Sequence, residues 1–201
     1  MREFIVYSEK GATSSNFSIK DLPGSGGRMD LIARCVISAL WLSKDIRRNS
    51  RIIFSLNGPP QEPVALEFDG SALERVTPDE RNIAIWIKKS FGRKEIEKKW
   101  KEVHKGIRIS KRKFEDIIKD KKDKKLYILN EDGDDIRNVE IDGDPVFILG
   151  DHIGLPNKKL KFVQDHNGEK ISLGPKSYFT THSITLTHNE LDRQTTAQVN
   201  K

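Results

Sequence analysis

Short apolar runs alternate with longer amphipathic stretches along the chain. The runs lie at residues 4–7, 51–56, 64–68, 126–129, 146–149 and 170–173, between turn-forming residues. We predict a strand at each, because a short apolar run between turn signals is typical of a buried strand. Helices are predicted at residues 31–42, 78–90, 160–164 and 181–194. This alternation predicts an α/β fold with a mostly parallel sheet flanked by helices.

The segment Pro145–Pro156 is the centre of this pattern. Its apolar run stops at Gly150, Asp151, His152 and a second glycine, Gly154. The loop at the carboxyl end of a parallel strand is where open α/β sheets place ligands. Two residues without a Cβ would let the backbone approach a bound molecule closely. Spacing alone favours an ordinary strand-to-helix turn.

A glycine-dense loop at residues 21–30 leads directly into the first long helix. It matches neither G-x-x-x-x-G-K-[ST] nor G-x-G-x-x-G, so neither nucleotide-binding fingerprint applies. One interpretation is that Asp21, Arg28 and Asp30 are presented to a ligand at a helix N-terminus. The alternative is an N-cap with flexible glycines.

The first long helix is apolar except for a polar stripe. Asp30, Arg34 and Ser38 recur at i, i+4 and i+8, so they share one face. The stripe is either a solvent-facing Asp30–Arg34 ion pair or the lining of a polar site or subunit interface. Arg47 and Arg48 follow the helix and are candidates for phosphate contacts.

Positive charge is concentrated in a basic segment at residues 93–125. This segment has 15 Lys or Arg against 7 Asp or Glu, whereas the whole 201-residue chain has a net charge of +6. Such a segment is typical of a polyanion-binding insert on a near-neutral scaffold. The alternative is a solvated insert that only promotes solubility. Its apolar residues, including Trp100, Phe114 and Ile117, predict a segment that is helical in part.

Several classes of protein are disfavoured by composition. The lone Cys35 excludes an intramolecular disulfide and indicates a reducing, cytoplasmic setting, with the thiol buried. We expect no signal peptide and no membrane-spanning helix. No metal is expected, because the five histidines show no ligand spacing. Residues 130–141 do not fit a calcium loop, since Asp135 and Ile141 occupy the glycine and glutamate positions.

Three predicted strand ends, at residues 127–130, 149–154 and 171–175, are each followed by a loop, with the 150–154 loop the middle one. This arrangement resembles the SPOUT class of RNA methyltransferases. Within that class the chain is similar to the archaeal TrmY family, in matching blocks that occur in the same order. These blocks are residues 21–30, 45–48, 78–85, 150–154 and 188–192. The resemblance is weak across the basic segment.

The resemblance implies a single SPOUT domain over residues 1–201, with a basic insert at about 93–125 and a C-terminal trefoil knot that binds S-adenosylmethionine. It also implies a homodimer whose partner subunit completes each active site. Ser183 stands where we expect a cysteine beside the cofactor. The residues that the resemblance places around the cofactor are Leu129, Gly150, Gly154, Leu173, Gly174, Pro175, Lys176, Ser177, Tyr178 and Ser183.

The implied reaction is methyl transfer to N1 of the pseudouridine at position 54 in the tRNA T-loop. Asp21 or Asp30 is the candidate base for the N1 proton, and Arg28 is the candidate donor to the carbonyl oxygens. RNA phosphate contacts are expected at Arg47, Arg48, Lys111, Arg112 and Lys113. One alternative is a related enzyme that methylates a pseudouridine in small-subunit rRNA. The other is a non-catalytic RNA-binding protein with a decayed cofactor site.

Overall fold

The computed structural model describes residues 1–60, 63–92, 95–141 and 143–199. These residues form one eight-stranded sheet with helices on both faces. The strands are β1 (Arg2–Ser8), β2 (Ser50–Leu56), β3 (Val64–Asp69), β4 (Lys101–His104), β5 (Ile107–Ser110), β6 (Leu126–Asp135), β7 (Val146–Gly150) and β8 (Gly168–Ser172). The helices are α1 (Leu22–Ser25), α2 (Met29–Leu40), α3 (Glu80–Phe91), α4 (Phe114–Lys119), α5 (Asn157–Gln164) and α6 (Thr180–Val199).

The sheet has a parallel half and an antiparallel half. Its order is β4-β5-β3-β2-β1-β7-β6-β8. Five adjacent strands, β2-β1-β7-β6-β8, run parallel to one another. Strands β3, β5 and β4 extend the sheet beyond β2 with antiparallel pairings. The predicted α/β class is confirmed, and the parallel half contains all three strands whose ends carry the candidate cofactor loops.

Alternating side chains divide the core between the two faces of the sheet. In β1, Phe4 and Val6 belong to the larger core with α2, α3 and α6, whereas Ile5 and Tyr7 belong to the smaller core with α4 and α5. We call these the α2 face and the α4 face. All four side chains are buried because strands of the parallel half are covered on both sides.

The long helices follow their predicted patterns with small shifts. Nine of the twelve residues of α2 are buried, including the Cys35 thiol, whose pKa burial raises. Helix α3 begins at Glu80 rather than Pro78. The reason is that Asp79, and not Thr77, supplies the cap: its carboxylate accepts a hydrogen bond from the Asn82 amide at 2.8 Å.

The basic segment differs most from its prediction. Its first two residues, 93–94, lie outside the described residues. The rest forms the hairpin β4–β5 and the six-residue α4, so it is more strand than helix. Gly106 makes the hairpin turn at φ +78°, where a Cβ would lie within 2.7 Å of the Leu73 backbone. Val103, Ile107 and Ile109 alternate with polar residues and favour strands.

Strand β6 continues past its predicted end at Leu129. Its pairing with β8 shifts register between Leu129 and Asp134, so residues 130–133 bulge out and the strand resumes to Asp135. Gly133 allows this, because a Cβ there would lie 2.5 Å from the Ile171 amide nitrogen. Among the described helices, none has the length and apolarity to cross a membrane.

Candidate active site

The carboxyl ends of β7, β6 and β8 meet at one edge of the sheet. The three strands are adjacent and parallel, in the order β7-β6-β8. Three segments therefore lie side by side at this edge: the loop 151–156, the bulge 130–133 and the loop 173–179. The 150–154 loop is the second along the chain, but in the sheet β6 is the middle strand. This is the edge at which open parallel sheets bind ligands.

Hydrogen bonds connect these three segments to one another. Ser177 donates to the carboxylate of Glu131, which joins the last loop to the bulge. Thr180, at the start of α6, donates to the Gly150 carbonyl oxygen at 3.0 Å. The first bond thus joins the last loop to the bulge, and the second joins the start of α6 to the end of β7, each between residues 30 or more positions apart in sequence.

The two glycines that frame the central loop differ in the space beside them. A Cβ on Gly150 would lie 2.0 Å from the carbonyl carbon of Gly154, so this glycine lets its own loop fold back. Gly154 has φ +91°, and the space where its Cβ would lie is open. Of the two, Gly154 therefore has the geometry for close approach by a bound molecule, whereas the side of Gly150 is filled by its own chain.

Asp151 connects the central loop to the end of β1. Its buried carboxylate accepts hydrogen bonds from the Ser8 hydroxyl at 2.7 Å and from the Ile153 amide at 2.9 Å. The Ser8 oxygen in turn accepts from the Gly11 amide at 3.1 Å. The Ala12 amide then donates to the carbonyl of Gly26 in the glycine-dense loop at 3.1 Å. This chain of contacts brings the first and last thirds of the sequence to one edge.

The glycine-dense loop is ordered by its own caps. Asp21 caps the short helix α1 by accepting from the Gly24 amide at 3.0 Å, and its side chain is exposed. A Cβ on Gly27 would lie 1.8 Å from the Lys10 carbonyl oxygen, so only glycine fits there. Arg28 follows in the left-handed conformation with φ +69°. The N-cap interpretation is therefore confirmed for Asp21.

Arg28, Asp30 and Arg34 form a charged cluster at the start of α2. The Arg28 guanidinium makes a bidentate contact with the buried carboxylate of Asp30, with both N–O distances 3.0 Å. Arg34 pairs with the same carboxylate, and its Nε lies 3.7 Å from Glu80 of α3. The predicted Asp30–Arg34 pair is thus present, but Asp30 is buried, so only Arg34 faces solvent.

The cluster shifts the pKa values of its members. Burial raises the pKa of Asp30, but the hydrogen bond and charge of Arg28 together with the charge of Arg34 outweigh it, so the net pKa lies below the usual value. The hydrogen bond to Asp30 raises the pKa of Arg28, and the charge of Asp151 acts in the same direction.

The other predicted cofactor residues line the same edge. Leu129 is half-buried in β6 just before the bulge, Leu173 is half-buried directly after β8, and Ser183 is half-buried in α6. Gly174 has φ +137°, and residues 175–178 are exposed. Ile153 (47 %), Tyr178 (43 %) and Phe179 (74 %) are large apolar side chains exposed on the same loops. The edge therefore exposes apolar side chains beside polar ones such as Glu131 and Lys176.

The predicted RNA-binding residues fall into two groups. Arg47 donates to Asp192 of α6 at 2.7 Å, and Arg48 donates to the carbonyl oxygens of Gly70 and Leu73, both at 3.0 Å. Both arginines thus have intramolecular partners, and a phosphate role for them stays a prediction. The second group surrounds the start of α4, where Lys111 and Lys113 are exposed and Arg112 pairs with Asp120.

Sequence reasoning did not identify Ser8, Glu131 or Thr180 as parts of this site. Each acts through a contact to a residue distant in sequence, and a lone Ser, Thr or Glu carries no local motif. Within the described residues, no three His, Cys, Asp or Glu side chains are grouped as metal ligands.

Comparison with known proteins agrees with this arrangement. Residues 1–196 match the family model described as "Putative SAM-dependent RNA methyltransferase". The chain belongs to this family. A member from Methanococcus aeolicus, named tRNA (pseudouridine(54)-N(1))-methyltransferase, is 46% identical over 96% of this chain and 98% of its own. A protein of the same name from Methanocaldococcus jannaschii is 42% identical over 99% and 100%.

A solved structure has the same fold. Nep1 from Archaeoglobus fulgidus, solved bound to S-adenosylhomocysteine, superposes with a TM-score of 0.63 over 98% of this chain and 100% of its own. Its sequence is 15% identical to this chain. The resemblance to a SPOUT methyltransferase of the TrmY family, drawn from short sequence blocks, is thus confirmed by full-length relatives.

Proposed function

We propose that this protein transfers a methyl group from S-adenosylmethionine to N1 of the pseudouridine at position 54 of tRNA. The observation that carries the proposal is the identity of 42–47% over nearly the full chain with proteins named for this reaction. The matched regions cover 96–99% of this chain. The rRNA and non-catalytic alternatives have no comparable support.

The edge formed by β7, β6 and β8 fits S-adenosylmethionine, which when bound supplies the methyl group on a sulfonium. The fit rests on the open side of Gly154, the connected loops, and the half-buried Leu129 and Leu173, which can pack against a flat, partly apolar ligand. The loop residues 174–178 and Ser183 would surround the ligand. Since Gly150 is covered on its Cβ side, it would contribute its backbone.

The C-terminal half would form the trefoil knot of the SPOUT class. The strand order β7-β6-β8, with β6 between two later strands, and the TM-score of 0.63 with Nep1 support this topology. The whole chain of 201 residues would be one SPOUT domain, in which the basic segment 93–125 is the insert. As a tRNA-modifying enzyme it would work in the cytoplasm.

The roles of the three candidate catalytic residues now separate. Asp30 accepts hydrogen bonds from Arg28 and Arg34 and has a lowered pKa, so it is a poor base and well placed to orient Arg28. Arg28 would donate to a carbonyl oxygen of the uracil ring as negative charge develops there. Asp21 is exposed, and its cap uses one carboxylate oxygen, so the other can take the N1 proton.

A homodimer would complete the active site. The exposed Ile153, Tyr178 and Phe179 at the cofactor edge, together with Leu186 (37 %) on α6, form an apolar surface that a second copy can cover. The polar stripe on α2 has an intramolecular explanation in the bridge from Arg34 to α3. Its placement across the interface remains a proposal, to be tested with a monomeric variant, which should lose methyl transfer.

The decisive assay compares three RNAs under the same conditions. A tRNA T-arm with pseudouridine at position 54, the same arm with uridine there, and a pseudouridine-containing rRNA fragment are incubated with the protein and S-adenosylmethionine. We expect N1-methylpseudouridine, identified by mass spectrometry of the digested nucleosides, from the first RNA alone. Methylation of the rRNA fragment instead would overturn the proposed substrate, and no product from any RNA would overturn the proposed activity.

Substitutions distinguish a base from a positioning residue. Asp21→Asn should lower kcat by roughly 10²–10⁴-fold, with activity partly recovered at higher pH because the base is bypassed. Asp30→Asn should lower kcat without that recovery, since it misplaces Arg28. Cofactor affinity, measured by calorimetry, should be unchanged in both variants. Equal pH profiles for the two variants would show that Asp21 is not the base.

A further inference from the structure

A cleft in the basic segment, separate from the cofactor edge, contains three cations. It has a volume of about 300 Å³ and lies between α4 and the chain just before β4. Lys98, Arg112 and Lys119 line it together with Asp116 and Asp120. This volume accommodates one phosphodiester group with its water, and the cations outnumber the carboxylates.

Local contacts hold the two walls of the cleft in place. The Ser110 hydroxyl donates to the Lys98 carbonyl oxygen at 2.6 Å, and the Lys111 amide donates to the Glu97 carbonyl oxygen at 2.7 Å. On the other wall, Phe114 is fully buried against the sheet. The backbone positions of the three cations are therefore fixed, while their long side chains can adjust.

The pairing of Arg112 indicates how the cleft would accept an anion. Its guanidinium contacts the carboxylate of Asp120, which is about half exposed. An exposed pair of this kind contributes little to stability, so a phosphate oxygen can replace the carboxylate at small cost. Arg112 presents a planar fork that matches a phosphate, and Lys98 and Lys119 add two charges.

The start of α4, beside the cleft, lies close to the edge of the sheet that carries the candidate active site. Phe114, the first residue of α4, packs edge-on against Tyr7 at the carboxyl end of β1, with ring centroids 5.5 Å apart. The exposed Lys111 and Lys113 precede it. Farther along, Lys121 just after α4 contacts Glu3 at the amino end of β1. Lys111 and Lys113 thus flank Arg112 at the end of α4 that is nearest the active-site edge.

We propose that this cleft binds a backbone phosphate of the RNA substrate, with Arg112 exchanging Asp120 for the phosphate. The proposal rests on the proposed function, because it assigns part of the RNA footprint of that enzyme. It adds Lys98 and Lys119 to the predicted RNA-binding residues. It also gives Asp120 a definite effect: this carboxylate competes with RNA for Arg112.

The test measures the affinity of the full-length protein for a fluorescent pseudouridine-containing T-arm over a series of salt concentrations. The double variant Lys98→Ala/Lys119→Ala should bind roughly tenfold or more weakly near 0.1 M salt and reduce the slope of log K against log salt by about 1–2. Asp120→Asn should bind a few-fold more tightly, because Arg112 is released.

Matched controls come from the exposed pair Lys125–Glu169, 2.8 Å apart at the opposite edge of the sheet. With the likewise exposed Lys161, which pairs with Asp165, the double variant Lys125→Ala/Lys161→Ala removes the same two positive charges outside the cleft. Glu169→Gln makes the same charge change as Asp120→Asn. Both controls should shift affinity much less. If each control changes RNA affinity as much as its cleft variant does, while the wild type binds RNA, the proposed phosphate site in the cleft is wrong and the proposed function stands. If the wild type shows no salt-dependent RNA binding, the proposed function itself fails.

Discussion

The two faces of the sheet fix their covering elements by different means. On the α2 face, α6 is anchored by the buried His188, whose Nε2 lies 3.0 Å from the Ala39 carbonyl oxygen, and by Asp192, which pairs with Arg2 and Arg47. On the α4 face, the basic segment surrounds the fully buried Glu3. Lys121 Nζ lies 2.5 Å from one Glu3 carboxylate oxygen and Lys124 Nζ lies 3.7 Å from the other.

This contrast changes the interpretation of the net charge. Arg108, in the same segment, pairs at 2.6 Å with Glu67, which is also buried. Part of the excess positive charge therefore compensates buried carboxylates and is not available to RNA phosphates. The cations left for a polyanion lie on the outer side of the segment, around Lys111, Lys113 and the cleft.

Phe114→Ala should have the largest effect, because it removes a fully buried ring from the smaller core on the α4 face. We expect the free energy of unfolding to fall by about 3–5 kcal/mol, measured by urea denaturation. Leu42→Ala, at a side chain that is 48% exposed, is the control and should change it by less than about 0.5 kcal/mol. A small loss in the first variant would mean that charge pairs alone hold the segment.

Lys121→Met should lower the free energy of unfolding by about 2 kcal/mol, since it leaves the buried Glu3 partly uncompensated. Lys122→Met, at the exposed neighbouring residue, removes the same charge and should have almost no effect. The double variant Glu3→Gln/Lys121→Met should recover much of the loss, because both charges are then gone. Equal losses at Lys121 and Lys122 would contradict the inward role of Lys121.

The His188 anchor should make stability depend on pH in a defined window. Burial, and next the charge of Arg47, lower the pKa of His188 to about 3 from an ordinary 6.5. Between pH 3 and pH 6.5, His188 is therefore protonated in the unfolded chain but neutral in the folded protein. The free energy of unfolding thus falls as the pH drops below 6.5. We expect a loss of about 1 kcal/mol between pH 7.5 and 5.5, by thermal or urea unfolding.

His188→Gln is the matched variant for this measurement. It keeps a donor for the Ala39 carbonyl oxygen but cannot titrate, so its stability should be nearly constant over the same pH range. A wild-type protein with no change in stability over this range would contradict the assignment of His188 as a buried neutral anchor.

The site was only partly predictable from the sequence. The i, i+4 spacing predicted the Asp30–Arg34 pair, because side chains four residues apart on a helix are neighbours. The bidentate Arg28–Asp30 contact was not predictable in this way, since it depends on the left-handed conformation of Arg28. The sequence could not show that Gly150 is covered by its own loop while Gly154 is open. That difference depends on how the loop folds back between the two glycines.

The sequence alone determined the strands of the parallel half and the long helices α2, α3 and α6, because continuous apolar runs and helical periodicity are local properties of the chain. The short sequence blocks that resemble the TrmY family also sufficed to indicate the family. Only the tertiary structure decided that the basic segment is a hairpin and a short helix that cover Glu3 and Glu67. The physical reason is that a buried acid is tolerated only beside cations, and those cations come from residues more than 40 positions away.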